Sequence, residues 1–445
     1  MYRFPEGLYC DVRIERSSDA SYSISNGEVS GDSETAVTGA VIRVYDGDMW
    51  YNSVTNDIDS IQREIDALAE LAKPRADINE LPEVAVYEVN KVNVTVFGGE
   101  KDLRNVSRSK RIELVNSVIK ALDPDSFDEI KNYRAAYSQG HTIKEFYSSK
   151  GAEIIQDYQS CTLGTAFEAA SGDNVCSGTE FARAMSLDEL SLPDEKIKAK
   201  RDRVLDFLKN AVPVEAGEMT CVLAPVVTAM FTHESFGHKS EADFMLNDET
   251  LRAEWVMGKT VGSSLVSICD SGDMINNGYV PYDDEGTRSK ETWLIKNGVL
   301  TGRLHDAKSA AVMGEELTGN SRAESYRFSP MVRMTNTYMS AGDTSPEELI
   351  AGVKDGLYVY SVIYGTGNST FTLKPHICYR IRDGKLCEPV RANVITGSVF
   401  RTLFDIDGVG SDLEIFNTYT CGKNGQSVPV SAGGPTIRVR SLNVN

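Results

Sequence analysis

The stretch TCVLAPVVTAMFTHESFGHKSEADF, residues 220–244, decides how the rest of the chain is read. Its first five residues, Thr220 to Ala224, form a short apolar run of strand type that stops at Pro225. From Val226 to Phe244 the pattern turns helical. This predicted helix carries His233-Glu234-Ser235-Phe236-Gly237-His238, an H-E-x-x-x-H. Two of the chain's five histidines fall in this one window, with a glutamate beside the first. Neutral imidazoles suit Zn²⁺, and an adjacent carboxylate suits a general base acting on a water that the metal activates. The residues point to a metal-dependent peptidase.

The spacing is unusual. In a regular helix, residues i and i+4 lie roughly 40° apart around the axis, whereas i and i+5 lie roughly 140° apart. His233 and His238 therefore cannot both address one ion from an unperturbed helix. A local widening of the π-bulge type would bring them together, and Gly237 would ease it.

A catalytic zinc takes three protein ligands and a water. Two histidines leave one ligand to find. Glu241 and Asp243 follow closely, and His141, His305 and His376 are the remaining histidines. Cys421, in Thr420-Cys421-Gly422-Lys423-Asn424-Gly425-Gln426, is the favoured candidate, because a small, Gly-flanked turn lets a thiolate approach a metal. Asn336, Lys423 and Gln426 are candidate donors to a developing oxyanion or to substrate, with a structural role for each the more economical reading. Glu241 is a candidate partner for a ligating histidine. Asp283-Asp284-Glu285-Gly286 lacks the spacing of a calcium loop and reads as a solvated turn.

The 445 residues are enough for two or three domains. There are 46 basic and 65 acidic residues, a net charge of −19, which disfavours nucleic acid and anionic membrane as partners. Eight cysteines are scattered with no C-x-x-C. The first residues show no apolar signal region, and the longest apolar run, about Cys221 to Phe231, is broken by Pro225. The expectation is a reduced, soluble, cytoplasmic protein.

Working outward from residues 220–244, Asp11–Glu15 and Ala40–Tyr45 alternate as strands, and Asn56–Ala72 has helical spacing that ends at Lys73-Pro74. Strands are expected near 84–97, 133–137 and 143–147, and a second helix over 107–122. Residues 171–190 read as a polar connection, followed by a charged helix over 194–211. Beyond residue 244 the chain is β-like, with turns at Asn297-Gly298 and Asp383-Gly384, one helix over 346–355 capped by Thr344 or Ser345, and a final strand over 436–440. The fold class expected is α+β in two domains: an N-terminal mixed domain, residues 1–205, and a C-terminal β-rich domain, residues 206–445, carrying the motif helix.

Taken together, these residues resemble a known family. His233–Phe244 is similar to the H-E-x-x-G-H-x-x-E-x-D stretch of the TldD/PmbA family. Tyr282–Thr287, Arg333–Thr337, Cys421–Gln426 and Pro435-Thr436 are similar to further stretches in the family's order, and Gly39–Asn52 matches more weakly. The resemblance implies a TldD-like zinc metallopeptidase acting on small or unfolded peptides, with one Zn²⁺ per chain. It implies ligands at His233, His238 and Cys421, with Glu234 as general base. It also implies a dimer, either of like chains or with a motif-lacking PmbA/TldE-like subunit, and an enclosed active site. The alternative is a non-catalytic subunit that gates such a peptidase. The loop after Gly356-Leu357-Tyr358-Val359 and the ending Asn443-Val444-Asn445 depart from the family's glycine-rich pattern.

Overall fold

The computed structural model describes residues 2–367 and 369–445. The first half builds one seven-stranded sheet. Its order is Trp50–Thr55, Glu28–Tyr45, Tyr9–Ser25, Ile130–Ser148, Glu153–Ser171 and Lys91–Val94, with Asn174–Ala184 also on Glu153–Ser171. Neighbours are antiparallel except Lys91–Val94, which runs parallel to Glu153–Gln156. Asn26 and Gly27 both take positive φ, the requirement of a tight two-residue hairpin turn, and so fix the register of the first two strands.

The alternation at Asp11–Glu15 sorts these side chains to two covered faces. Cys10, Val12 and Ile14 pack with Ile42 and Val44 against Ile61, Ile65 and Leu68 of the helix Ile61–Leu71. Each such aliphatic side chain contributes roughly 1.5–3 kcal/mol on burial. The opposite face carries Asp11, Arg13 and Glu15, all under 5 % exposed, because the C-terminal half covers it. Helices Arg108–Leu122 and Asp194–Asn210 bury Val115, Val118, Ile197 and Val204 against Tyr137, Leu163 and Phe167 at the far end of the sheet.

In the second half, Gly217–Leu223 pairs with Asp355–Gly367 and Ile437–Val444. Ile437–Val444 pairs with Ile395–Ser398, which pairs with Thr370–Arg382, which returns to Asp355–Gly367. The circuit closes, leaving these five strands no free edge along that path. A six-stranded sheet stands beside it, with Gln426–Gly434 and then Glu414–Lys423 at one edge. The helix Pro225–Thr232 contributes Val227 and Phe231 to the core that the two sheets share.

Several local expectations are corrected. Residues 171–190 are no connection, since Asn174–Ala184 is a strand. Its inward positions include Cys176 and Gly178, too small to read as a hydrophobic pattern. Gly178 is bare because a Cβ there would lie 2.2 Å from the Phe167 ring. The segments near 133–137 and 143–147 belong to one strand, Ile130–Ser148. Only Lys91–Val94 is extended within 84–97, and Pro82–Ala85 is helical. The helix expected over 346–355 stops at Ala351, with Ser345 and Glu348 forming a capping box.

The acidic run 283–285 is also not a solvated turn. Asp283, Asp284 and Glu285 are 2, 5 and 8 % exposed. Asp283 accepts backbone N–H bonds from Glu285, Thr287 and Ser321. Asp284 meets Lys144 at 2.8 Å and Arg13 at 3.7 Å, and Glu285 meets Arg43 at 3.9 Å. The cations come from the N-terminal sheet, so this loop ties the two halves of the chain together.

Candidate metal centre

The strand Gly217–Leu223 leads into the helix Pro225–Thr232, with Pro225 at its first turn, where a missing N–H costs nothing. The helix does not continue regularly to Phe244. Residues His233–Gly237 form a π turn, closed by the His238 N–H donating to the His233 carbonyl, and His238–Ser240 tighten into a 3₁₀ turn. The extra residue brings the two rings to the same side, with centroids 5.2 Å apart and planes at 80°. Gly237 serves this turn differently from the sequence reading. Its φ of −56° and ψ of −59° suit any residue, but a Cβ there would lie 1.9 Å from Met334 Sδ. The glycine makes room for a neighbour.

Cys421 arrives from the other end of the chain. It sits on Glu414–Lys423, paired with Val428 across a hairpin whose turn residues, Asn424 and Gly425, both have positive φ. Arg333, fully buried, donates to the carbonyls of Cys421 and Gln426 and pins both strands of the hairpin. His233, His238 and Cys421 each offer one donor atom, and the three atoms lie within 4.8 Å of one another. The Sγ of Cys421 is 3.5 Å from Nε2 of His238.

Around them lies a shell of charge. Nδ1 of His238 meets Oε2 of Glu241 at 3.0 Å, which leaves Nε2 facing the thiol. Lys423 donates from Nζ to Glu241 at 3.2 Å, to both oxygens of Asp243 at 2.8 Å and to the Val332 carbonyl at 2.9 Å. Tyr419 stacks on His233, with ring planes 15° apart. Burial alone would raise the Cys421 thiol, but the histidines outweigh it and bring it down to about 5. Burial would lower His238, yet Cys421 and Glu241 hold it up at about 10. Glu241 is kept low, against its own burial, by His238 and the nearby cations, whereas burial raises Glu234 against the pull of both histidines.

The donor chemistry fits a zinc ion: two imidazoles and a thiol that gives up its proton readily. Nδ1 of His233 and Oε1 of Glu241 are buried without a hydrogen-bond partner.

The chain is also similar to known proteins. Residues 216–445 match the PmbA/TldA metallopeptidase C-terminal domain, and residues 10–73 match PmbA/TldA metallopeptidase domain 1. This chain belongs to the TldD/PmbA family. It is 34 % identical over 366 residues to a zinc metalloprotease TldD homolog of Saccharolobus solfataricus, covering 81 % of this chain and 80 % of that protein. A metalloprotease of Methanocaldococcus jannaschii is 31 % identical over 443 residues, covering 97 % and 96 % of the two chains. The crystal structure of TldE from Thermococcus kodakarensis has the same fold, with a TM-score of 0.76 at 16 % identity over 98 % of this chain and 96 % of that one.

The family's remaining candidate residues sort by their contacts. Asn336 is spent on the backbone, donating to the carbonyls of Ser271 and Met274 and accepting from Gly278 N–H. Gln426 likewise accepts from Glu324 N–H and donates to Ser329. Both side chains are thus bonded to backbone, and Lys423 bonds Glu241 and Asp243. Among the other histidines, His141 pairs with Asp157, His305 with Ser309 and Glu315, and His376 with Cys176 and Ser361. The sequence reading quoted Arg333 and Met334 only within a family-like stretch, with no role for either, and passed over Tyr419. Only Tyr419 left a usable signal: it stands two residues before Cys421, on the same face of a strand.

Proposed function

We propose that this chain is a zinc-dependent peptidase for small or unfolded peptides, holding one Zn²⁺ on His233, His238 and Cys421. The observation that carries the reading is the convergence of three donor atoms within 4.8 Å on a π turn and a distant hairpin. A zinc ion held there supplies Lewis acidity to the scissile carbonyl and to the attacking water. Glu234, beside the first histidine, takes the proton from that water and delivers it to the leaving amine. Glu241 fixes the ring of His238 through Nδ1, and Lys423 neutralises Glu241. Tyr419 holds the plane of His233. His233 and Cys421 are 4 and 2 % exposed, which supports flexible substrates over folded ones.

The assembly we infer is a dimer, either of two like chains or with a motif-lacking PmbA/TldE-like subunit; the shared fold with TldE supports the second. Eight cysteines, none bridged, support a reducing, cytoplasmic setting, and the net charge of −19 supports no nucleic-acid partner. No helix among the described residues is long and apolar enough to cross a membrane. The sheets support a division of the chain between Ala184, where the seven-stranded one ends, and Val212–Pro213, which pairs with Val390-Arg391. A boundary at 205/206 would cut the helix Asp194–Asn210, which packs on the N-terminal sheet, so we place it after that helix.

The reading is tested by metal content and turnover of an unstructured peptide, measured together on wild type and Glu234→Gln. About one zinc in both proteins, with turnover only in wild type, is the expected result. Full turnover in Glu234→Gln would refute the general base. A metal-free, silent wild type, still silent after zinc is supplied and with a PmbA/TldE-like partner present, would favour the gating subunit.

A further inference from the structure

The strand that carries Cys421 has a second face. Side chains alternate along a strand, so Thr420 leaves it on the side away from Cys421. On that side, between the hairpin and the N-terminal sheet, lies a cavity of about 380 Å³, lined in part by Thr420, Pro429, Gln159, Arg183 and Arg322. This is within the range of small-molecule sites.

Two cations there lack a partner of opposite charge. Arg322, 6 % exposed, donates to the carbonyls of Met334 at 2.6 Å and Pro429 at 2.8 Å. Arg183 donates to Thr162 Oγ1 at 2.7 Å and to Asn277 Oδ1. All four acceptors are neutral, and a guanidinium has five N–H donors to place. Among the described residues neither arginine forms an ion pair, although the chain as a whole carries a charge of −19. The acids on the same walls are engaged elsewhere: Glu15 and Asp284 with Arg13 and Lys144, and Glu324 with Ser427 N–H. Burying a cation without its counter-charge is costly. Burial indeed pulls both guanidinium groups below their ordinary range.

An anion would relieve that cost. Nearby acids would repel a doubly charged phosphate more than a singly charged carboxylate. The neutral hydrogen-bonding side chains Ser160, Asn276 and Thr420 suit amide groups, and exposed Asp19 on the same wall suits an ammonium group. We propose that this cavity is a second ligand site, separate from the histidine–cysteine cluster, that binds a short peptide by its free carboxylate on Arg183 and Arg322. The inference uses no metal and stands apart from the peptidase reading.

The test is calorimetric binding of the dipeptide Ala-Ala to the full-length chain, on a Glu234→Gln background to prevent hydrolysis. Ala-Ala should bind equally well when Cys421→Ser is added, which disables the metal cluster. Ala-Ala amide should bind roughly tenfold more weakly or worse, as should Ala-Ala to Arg183→Gln at unchanged zinc content. Equal binding of acid and amide, which requires no substitution in the cavity, would overturn the proposal. So would an unaffected Arg183→Gln, or loss of binding with Cys421→Ser. Phosphate or succinate binding as tightly as Ala-Ala would overturn the peptide assignment in favour of a general anion site.

Discussion

Two buried clusters of charged side chains lie in this molecule, and they are built on opposite principles. At the loop 283–285, each carboxylate faces cations or backbone N–H groups: Asp283 faces those of its own loop and of Ser321, whereas Asp284 and Glu285 face the cations Arg13, Lys144 and Arg43 of the N-terminal sheet. At the histidine–cysteine cluster, polar atoms converge and some stay unmatched, among them Nδ1 of His233 and Oε1 of Glu241. In the first cluster every acid is matched, although Arg13 Nε and Thr287 Oγ1 beside it have no hydrogen-bond partner, and the cluster ties the two halves of the chain together. In the second, three atoms of metal-ligand type converge on one point. Burial, charge and an orphaned polar atom are common to both, so none of these separates them; the convergence of imidazole and thiol donors does.

Substitutions can break this contrast, and the largest effect is expected at Glu234. Glu234→Gln should lower peptide turnover about a thousandfold while zinc content, measured by elemental analysis, stays at the wild-type level. Cys421→Ser removes a thiolate, and chelator competition should show zinc affinity falling by roughly two orders of magnitude or more. Unchanged affinity there would mean that the unmatched cluster does not use its cysteine.

In the matched cluster, Asp284→Asn should cost about 2 kcal/mol of folding stability by denaturant unfolding, because it leaves Lys144 and Arg13 to share Glu15 alone. Zinc content per folded chain should not change. Glu241→Gln lies between the two clusters in kind, since Glu241 is matched on one oxygen only. It should weaken zinc roughly 10- to 100-fold by loosening His238.

A pH dependence is expected at Glu285. Burial, then Asp306, raises its carboxyl to about 7. The folded chain thus holds this proton more tightly than the unfolded chain, whose glutamate titrates at about 4.3. The stability this adds is complete below about pH 4 and is lost as pH rises through about 7. Glu285→Gln should therefore flatten the stability difference between pH 5 and 8. An unchanged difference would show that the matched cluster keeps Glu285 ionised throughout.

Much of the fold could be read locally. Asn297-Gly298 and Asp383-Gly384 adopt the positive φ values that such turns demand, and Ser345 caps its helix, because these features depend on a few adjacent residues. The reading failed where a neighbour distant in sequence decides the outcome. Residues 174–184 look polar, yet they complete a sheet by laying Gly178 over Phe167. Asp283, Asp284 and Glu285 look solvated, yet cations more than a hundred residues away bury them.

The two histidines, the glutamate between them and the need for a widened turn were legible from spacing alone, since residues five apart cannot face one ion in a regular helix. The sequence could nominate Cys421 but not deliver it. His238 and Cys421 are 183 residues apart, and only the tertiary structure closes that gap. It does so through the tight turn at Asn424-Gly425 and the buried grip of Arg333 on the Cys421 carbonyl. Spacing along the chain sets which side chains share a face. Which faces meet is set by the packing of elements distant in the chain.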